Sequence, residues 1–156
     1  MQIRCATSAD VPHLRRLERE SYTAAHWGEA QYDSLFGPKA PRRIAILAED
    51  EPRKSVIGFL IARCLPDEWE VENLVVAAAS RRQGIGRSLV RALLDEARAA
   101  VCPFVLLEVR ESNEPARRLY ENMGFRSQGR RLAYYDRPPE NAILYRISLR
   151  FCDKIC

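Results

Sequence analysis

The chain has 156 residues and a formal net charge of +4, which is typical of one globular domain with a real core. Its basic residues form no long block, no apolar run approaches the ~18 residues of a membrane span, and the N-terminus lacks a secretory signal pattern. We therefore expect neither direct nucleic-acid binding nor membrane insertion.

Cysteine and histidine usage also limits the function classes. The five cysteines are odd in number and form no Cys-x-x-Cys pair, and the two histidines are isolated. A disulfide framework and a metal site are not expected, and a reducing, cytoplasmic setting is the simplest one. The cysteines are Cys5, Cys64, Cys102, Cys152 and Cys156.

The pattern of apolar residues predicts seven strands and four helices in chain order. Strands are expected at residues 2–5, 44–48, 55–64, 70–76, 104–109, 125–136 and 142–149. Helices are expected from residue 11 onward and at 29–35, 85–99 and 114–123. The first helix has Thr7-Ser8 as a cap and apolar residues at helical spacing that extend to Tyr22. This order predicts one mixed α/β domain over residues 1–150, followed by a tail at 151–156.

The segment between the fourth strand and the third helix has the spacing R-x-x-G-x-G. Unpaired amides at a helix start attract phosphate, and glycines let a diphosphate approach the backbone closely. The sequence fits neither a P-loop nor a Rossmann fingerprint. A purely structural turn with a solvated arginine face is the alternative. The candidate binding residues are Arg81, Arg82, Gln83, Gly84, Ile85, Gly86 and Arg87.

A second motif covers residues 104–125 and reads L-E-V-R-x-S-N-x-x-A-x-x-L-Y-x-x-x-G-F within that run. Together with R-x-x-G-x-G, it resembles the RimI-type ribosomal-protein alanine N-acetyltransferases of the GNAT superfamily. Weaker similarity lies at residues 26–29 and 141–143. The residues of the second motif are Leu107, Glu108, Val109, Arg110, Ser112, Asn113, Ala116, Leu119, Tyr120, Gly124 and Phe125.

The resemblance implies a single GNAT-like domain with a central, mostly antiparallel mixed sheet. It implies acetyl-CoA as the donor substrate, no metal, and direct attack by the amine in a ternary complex. Glu108 would act as the base and Tyr120 as the acid. Asn113 would contact the pantetheine arm, and the R-x-x-G-x-G loop would bind the pyrophosphate. The fourth-strand residues expected to pair with that arm through their backbone are Leu74, Val75 and Val76.

The residues alone leave alternatives for each role. Glu108 could lie where its strand becomes exposed, with an arginine as partner, and Tyr120 could serve packing alone. Glu70 and Glu72 on the fourth strand are rival bases. Two further aromatic residues, Tyr134 and Tyr135, either line the acceptor cleft or are ordinary strand residues.

The acceptor substrate is what the sequence determines least. An α-amine has a pKa of about 8 against roughly 10.4 for lysine, so a modest base suits an N-terminal amine. Lysine and small-molecule amines remain alternatives, as does a non-catalytic acetyl-CoA-binding module. Two features depart from the family pattern: Pro138-Pro139 stiffens the loop that borders the acceptor site in the superfamily, and residues 76–80 lack the usual Asp-Pro or Asn-Pro turn.

Overall fold

The computed structural model describes residues 1–21, 25–38 and 41–149. Seven strands form one mixed sheet, and four α-helices and two short 3-10 turns complete the domain. The strands are β1 (Gln2–Cys5), β2 (Arg43–Asp50), β3 (Ser55–Cys64), β4 (Trp69–Val76), β5 (Phe104–Arg110), β6 (Arg126–Asp136) and β7 (Pro139–Ser148). The helices are α1 (Val11–Arg19), α2 (Glu29–Asp33), α3 (Ile85–Ala99) and α4 (Glu114–Asn122).

The chain divides into two compact units. The first comprises residues 1–64 and 71–93, and its strands β1, β2 and β3 pair in sequence order and antiparallel. Its core lies where α1 and α2 meet β2 and β3. The largest side chains that are fully buried there are Leu14, Tyr32, Leu47, Phe59 and Ile61.

The second unit comprises residues 65–70 and 94–156. Within it β7 lies between β5 and β6 and is antiparallel to both. Along β5 burial alternates strictly: Val105, Leu107 and Val109 are buried, whereas Glu108 and its neighbours on the other face are half-buried. The fold thus places Glu108 on the more open face of its strand, as the sequence pattern predicts.

The observed elements confirm the predicted fold class, a mixed α/β domain with a seven-stranded sheet and four helices. Differences are confined to element ends. The last strand begins at Pro139, three residues earlier than predicted, so that only Arg137 and Pro138 separate β6 from β7. Proline is tolerated there because a first strand residue need not donate to the ladder. The predicted role of Tyr22 and the tail at 151–156, with Cys152 and Cys156, lies outside the described residues.

Two observations concern disulfide bonds and membrane-spanning helices. The described cysteines, Cys5, Cys64 and Cys102, form no disulfide with one another. None of the described helices is long and apolar enough to cross a membrane.

Candidate functional site

The R-x-x-G-x-G loop has the backbone of an anion cradle. Arg82 and Gly84 both adopt the left-handed conformation, with φ of 63° and 80°. The first intrahelical bond of α3 runs from the Ser88 amide to the Gly84 carbonyl, at 3.0 Å. The amides of residues 85–87 therefore have no hydrogen-bond acceptor within the helix. A Cβ on Gly84 would meet no atom within 4 Å, so the space above this turn is open. These features fit a diphosphate.

The side chains of the loop divide into two groups. Arg81 donates through Nε to the Val76 carbonyl at 3.2 Å, and Gln83 donates to the Ala79 carbonyl at 3.3 Å. Both side chains therefore fix the turn that precedes the loop. Arg82 and Arg87 are exposed and form no ion pair within the described chain. They are the cations available to an incoming phosphate.

Close packing holds the start of α3 against β3. A Cβ on Gly58 would lie 3.1 Å from Cγ2 of Ile85, 3.1 Å from the Val75 carbonyl oxygen and 3.3 Å from Cδ1 of Leu89. A larger residue would require these neighbours to move by a few tenths of an ångström, because Cβ contacts this short are uncommon. Gly58 therefore sets the position of the first turn of α3 and of the amides that face the loop.

Strand β4 presents the residues predicted to contact the pantetheine arm. Val75 is buried, whereas Leu74 and Val76 are half-buried on the opposite face. Glu72, a rival base, accepts hydrogen bonds from Nε and Nη2 of Arg43, at 2.5 and 3.0 Å. The Arg43 guanidinium also lies 5.2 Å from the ring centroid of Trp27. Both carboxylate oxygens of Glu72 are therefore bound by charge-assisted hydrogen bonds.

Glu108 lies among β6 side chains on the open face of β5. Its side chain is only 11% exposed, and Oε1 lies 2.9 Å from Nη1 of Arg131. Register explains the ion pair, because Glu108 is opposite Leu144 and Arg131 is opposite Ala142, two residues along the same face of β7. The predicted arginine partner is thus present, and it contacts one carboxylate oxygen.

Two tyrosines stand beside this carboxylate. The Tyr134 and Tyr135 rings meet edge to face with centroids 5.1 Å apart. A hydrogen bond to Glu108 is the main cause that raises the pKa of Tyr134. Burial, followed by the Glu108 charge, raises the pKa of Tyr135 to about 12. Both phenols therefore stay protonated at neutral pH and act as neutral groups next to Glu108.

Tyr120 lies in α4 and is 5% exposed. Its ring packs edge-on against Phe125 at 5.7 Å and tilts against Tyr145 at 6.4 Å. Its hydroxyl has no hydrogen-bond partner among the residues that the structure describes. Burial, with a smaller contribution from Tyr135, raises the pKa of Tyr120 above its ordinary range. The group is a protonated donor without an acceptor among residues 1–21, 25–38 and 41–149.

Asn113 begins α4 and is half-buried. Its Oδ1 accepts from the Ala116 amide at 3.3 Å, which caps the helix as predicted from the sequence. No described residue accepts from its Nδ2, so this side-chain amide donor is available to a ligand. Asn113 thus combines a structural role with a free donor.

Arg110 fixes the hairpin between β6 and β7. Its guanidinium donates to the carbonyls of Arg137 and Pro138 at 3.0 and 3.2 Å and lies 4.1 Å from the ring centroid of Tyr135. Glu140 accepts from the Ser112 amide at 2.5 Å, and the bonds from Ser112, with a smaller contribution from Arg110, lower the pKa of Glu140. The predicted stiff loop therefore owes its position to Arg110 as well as to its prolines.

A buried polar cluster orders the segment that follows α1. Glu18 accepts from Asn73 Nδ2 at 2.6 Å and from the Trp27 amide at 3.0 Å, and it is 3% exposed. The Trp27 ring lies 5.5 Å from that of Tyr32. The sequence offered no signal for this cluster, since a glutamate on a helix is ordinarily exposed.

Sequence reasoning also missed Arg131 and the hairpin role of Arg110. Arg131 pairs with Glu108 on β5, and Arg110 contacts carbonyls in the turn between β6 and β7. Both contacts depend on the register of β6, whose shifts an alternation of apolar and polar residues does not reveal. Within residues 1–21, 25–38 and 41–149, no group of three His, Cys, Asp or Glu side chains is arranged to hold a metal.

Comparison with known proteins identifies the family to which this geometry corresponds. The model of the acetyltransferase (GNAT) family matches residues 11–125. The chain is 36% identical over 98 residues to the [ribosomal protein bS18]-alanine N-acetyltransferase of Haemophilus ducreyi, covering 61% of this chain and 68% of that protein. It is 30% identical over 129 residues to the enzyme of the same name from Salmonella typhimurium, covering 83% of each.

The fold has a close counterpart among solved structures. The crystal structure of the ribosomal-protein-S18-alanine N-acetyltransferase from Escherichia coli superposes with a TM-score of 0.85 and 27% identity, covering 99% of this chain and 97% of that one. The sequence and fold comparisons therefore lead to the same class of protein.

Proposed function

Because the chain belongs to the acetyltransferase (GNAT) family and is an N-acetyltransferase, we propose that it moves the acetyl group of acetyl-CoA to the N-terminal α-amine of a protein or peptide. The names of its bacterial relatives support this acceptor class. The observation that carries the proposal is the Glu108 carboxylate, largely buried yet on an open strand face beside two protonated tyrosines.

The donor would bind through the loop at residues 81–87. The left-handed turn at Gly84, the outward amides of α3 and the exposed Arg82 and Arg87 match the charge and shape of a diphosphate. The free Nδ2 donor of Asn113 suits an amide carbonyl of the pantetheine arm. The strand residues Leu74, Val75 and Val76 would pair with the same arm through their backbone.

Two side chains would handle the protons of the transfer. Glu108 takes a proton from the acceptor nitrogen, directly or through one water, as that nitrogen forms a bond to the thioester carbonyl carbon. Tyr120 donates its phenolic proton to the sulfur as the carbon–sulfur bond breaks. The products are an amide and the free thiol, and the proton held by Glu108 returns to Tyr120 through water. Burial favours this role for Tyr120, because it keeps the phenol protonated until a thiolate appears.

The choice of an α-amine follows from the strength of the base. At neutral pH roughly a tenth of an α-amine is already neutral, against about one lysine in a thousand. A carboxylate is a modest base, and it suits the more acidic ammonium. Glu108 is favoured over Glu72, because Nε and Nη2 of Arg43 bind both carboxylate oxygens of Glu72.

Two matched peptides test the acceptor class. One has a free N-terminal alanine and no lysine; the other has a blocked N-terminus and one internal lysine. Intact mass after incubation with acetyl-CoA reports the modification. We expect acetylation of the first peptide alone, and Glu108→Gln should abolish that acetylation while leaving acetyl-CoA binding intact.

Other outcomes have definite meanings. Modification of the lysine peptide alone would identify a lysine acetyltransferase. No modification of either peptide, with acetyl-CoA binding intact, would overturn the peptide acceptor and favour a small amine.

A further inference from the structure

The Glu108 carboxylate is paired with a cation of the same chain, the Arg131 guanidinium. Arg131 Nη1 lies 2.9 Å from Oε1 of Glu108, and the Arg131 guanidinium carbon lies 5.5 Å from the ring centroid of Tyr134. A carboxylate combined with an aromatic face is the usual recognition chemistry for an organic cation in proteins. A protonated α-amine is also an organic cation, and a carboxylate beside an aromatic face can bind it.

We infer that Arg131 occupies the place of the acceptor's ammonium group and must leave before the acceptor can bind. This inference rests on the proposed function and names the element that regulates access to its acceptor site. Arg131 is then a specificity-determining residue: an acceptor is admitted only if its cation replaces the guanidinium at Glu108 and Tyr134.

The position of Arg131 makes it displaceable. Its side chain is 56% exposed, and it lies on β6, which among the described strands pairs with β7 alone. The register of β6 against β7 shifts directly after Arg131, between this residue and Tyr135. The guanidinium is therefore already partly in contact with water, and the cost of withdrawing it falls mainly on Glu108.

The position of Glu108 makes a replacement necessary. Its side chain is 11% exposed, so departure of Arg131 leaves a largely buried carboxylate without its counter-cation. A buried charge that loses its partner is costly, and an incoming ammonium restores the pairing. The acceptor then gives one proton to Glu108, which releases it to water, and becomes the neutral amine that attacks. Glu108, ionised again, takes the second nitrogen proton as the carbon–nitrogen bond forms. Cation exchange and deprotonation thus occur at the same oxygen atoms.

The neighbouring Arg130 provides a matched control. It is 54% exposed and pairs with Glu111 at 2.5 Å, yet it lies opposite Ile143 and so projects from the other face of the sheet. Arg130→Ala and Arg131→Ala remove the same side chain and the same charge from adjacent positions. Only the second change frees Glu108.

The first experiment measures KM and kcat for the alanine peptide at saturating acetyl-CoA. We expect Arg131→Ala to lower the peptide KM about threefold to tenfold with kcat changed less than twofold, because the competing guanidinium is gone. Arg131→Lys should lie between wild type and Arg131→Ala, since it retains a shorter cation. Arg130→Ala should match wild type. A higher KM in Arg131→Ala would overturn the inference, because it would show that Arg131 helps to bind the acceptor or to position Glu108.

The second experiment replaces the missing side chain from solution. Methylguanidinium at low millimolar concentration should inhibit Arg131→Ala competitively against the peptide and should inhibit wild type and Arg130→Ala much less. Potassium chloride at equal ionic strength is the control for screening. Equal inhibition of all three proteins would contradict a vacated guanidinium site.

These results separate the two proposals. Acetylation of the peptide by wild type, with an unchanged KM in Arg131→Ala, would leave the proposed function standing and overturn the role of Arg131. Absence of peptide acetylation in wild type and in Arg131→Ala alike would overturn the function, and the inference with it. Melting temperatures of the variants within about 3 °C of wild type exclude misfolding as the cause.

Discussion

At the scale of single residues, the hydroxyl of Tyr120 can be separated from the rest of its side chain. The ring fills space against Phe125 and Tyr145, whereas the hydroxyl has no partner among the described residues. We expect Tyr120→Phe to lower kcat by about 100-fold or more, the usual contribution of a positioned acid, and to leave the free energy of unfolding within about 0.5 kcal/mol. Peptide acetylation rates and urea unfolding measure the two quantities.

Tyr145→Phe is the matched control for this prediction. Its hydroxyl donates to Glu121 Oε1 at 2.5 Å and lies 3.3 Å from Arg117 Nε, so its loss should destabilise the protein by about 1 kcal/mol with little effect on kcat.

Because burial raises the pKa of Tyr120, the rate should also show no alkaline decline from this group below about pH 10. Full activity of Tyr120→Phe would assign the acid role to another donor.

At the scale of elements, the contact between Gly58 of β3 and the first turn of α3 links packing to donor binding. A methyl group at position 58 must displace Ile85 or Leu89, because both lie within 3.3 Å of its Cβ. We expect Gly58→Ala to destabilise the fold by about 1–3 kcal/mol and to weaken acetyl-CoA binding, which calorimetry can measure. Gly37→Ala, whose Cβ would meet only the Ser34 carbonyl at 3.7 Å, should change neither quantity appreciably.

A second element-scale contact joins β1 to the start of α1. The Asp10 carboxylate accepts two bonds from Arg4, each 2.9 Å, and one from the Thr7 amide at 2.8 Å. The hydrogen bond from Arg4 is the main cause that lowers the pKa of Asp10 to about 2. In the unfolded chain this carboxyl binds its proton near pH 4, before the folded one does.

The sign of the pH effect follows from this difference. Stability from Asp10 is fully present above about pH 4 and is lost as the pH falls toward 2. We expect Asp10→Asn to destabilise the protein by about 1–3 kcal/mol at pH 7 and by much less at pH 2.5. Urea unfolding at the two pH values checks this, and an equal loss at both would show that the effect is not electrostatic.

How far sequence predicts structure also differs between elements. Strand β3 and helix α3 begin and end where their apolar patterns do, because each buries a continuous run or stripe. The β6–β7 hairpin is less predictable, since its ends and the partners of Arg110 and Arg131 depend on two register shifts. The face of Glu108 was predictable from alternation; its pairing with Arg131 was not.

At the scale of the whole molecule, the positive net charge of +4 favours an anionic donor. We expect the acetyl-CoA dissociation constant to rise severalfold between about 50 and 500 mM NaCl, as screening weakens the attraction. Arg82→Gln should reduce this salt dependence, whereas Arg98→Gln should not, because Arg98 pairs with Asp95 near the other end of α3. Salt titrations by calorimetry measure it, and an unchanged slope in Arg82→Gln would argue against a phosphate contact.

The bulged outer strand β6 has a consequence for how this enzyme can evolve. It carries Arg131, Tyr134 and Tyr135 but supports few buried side chains, and its bulge already absorbs a register shift. Insertions or substitutions there can therefore change which amines are admitted without disturbing the buried strands. We expect acceptor preference to diverge first in this strand among descendants of the gene, while the donor loop stays nearly constant.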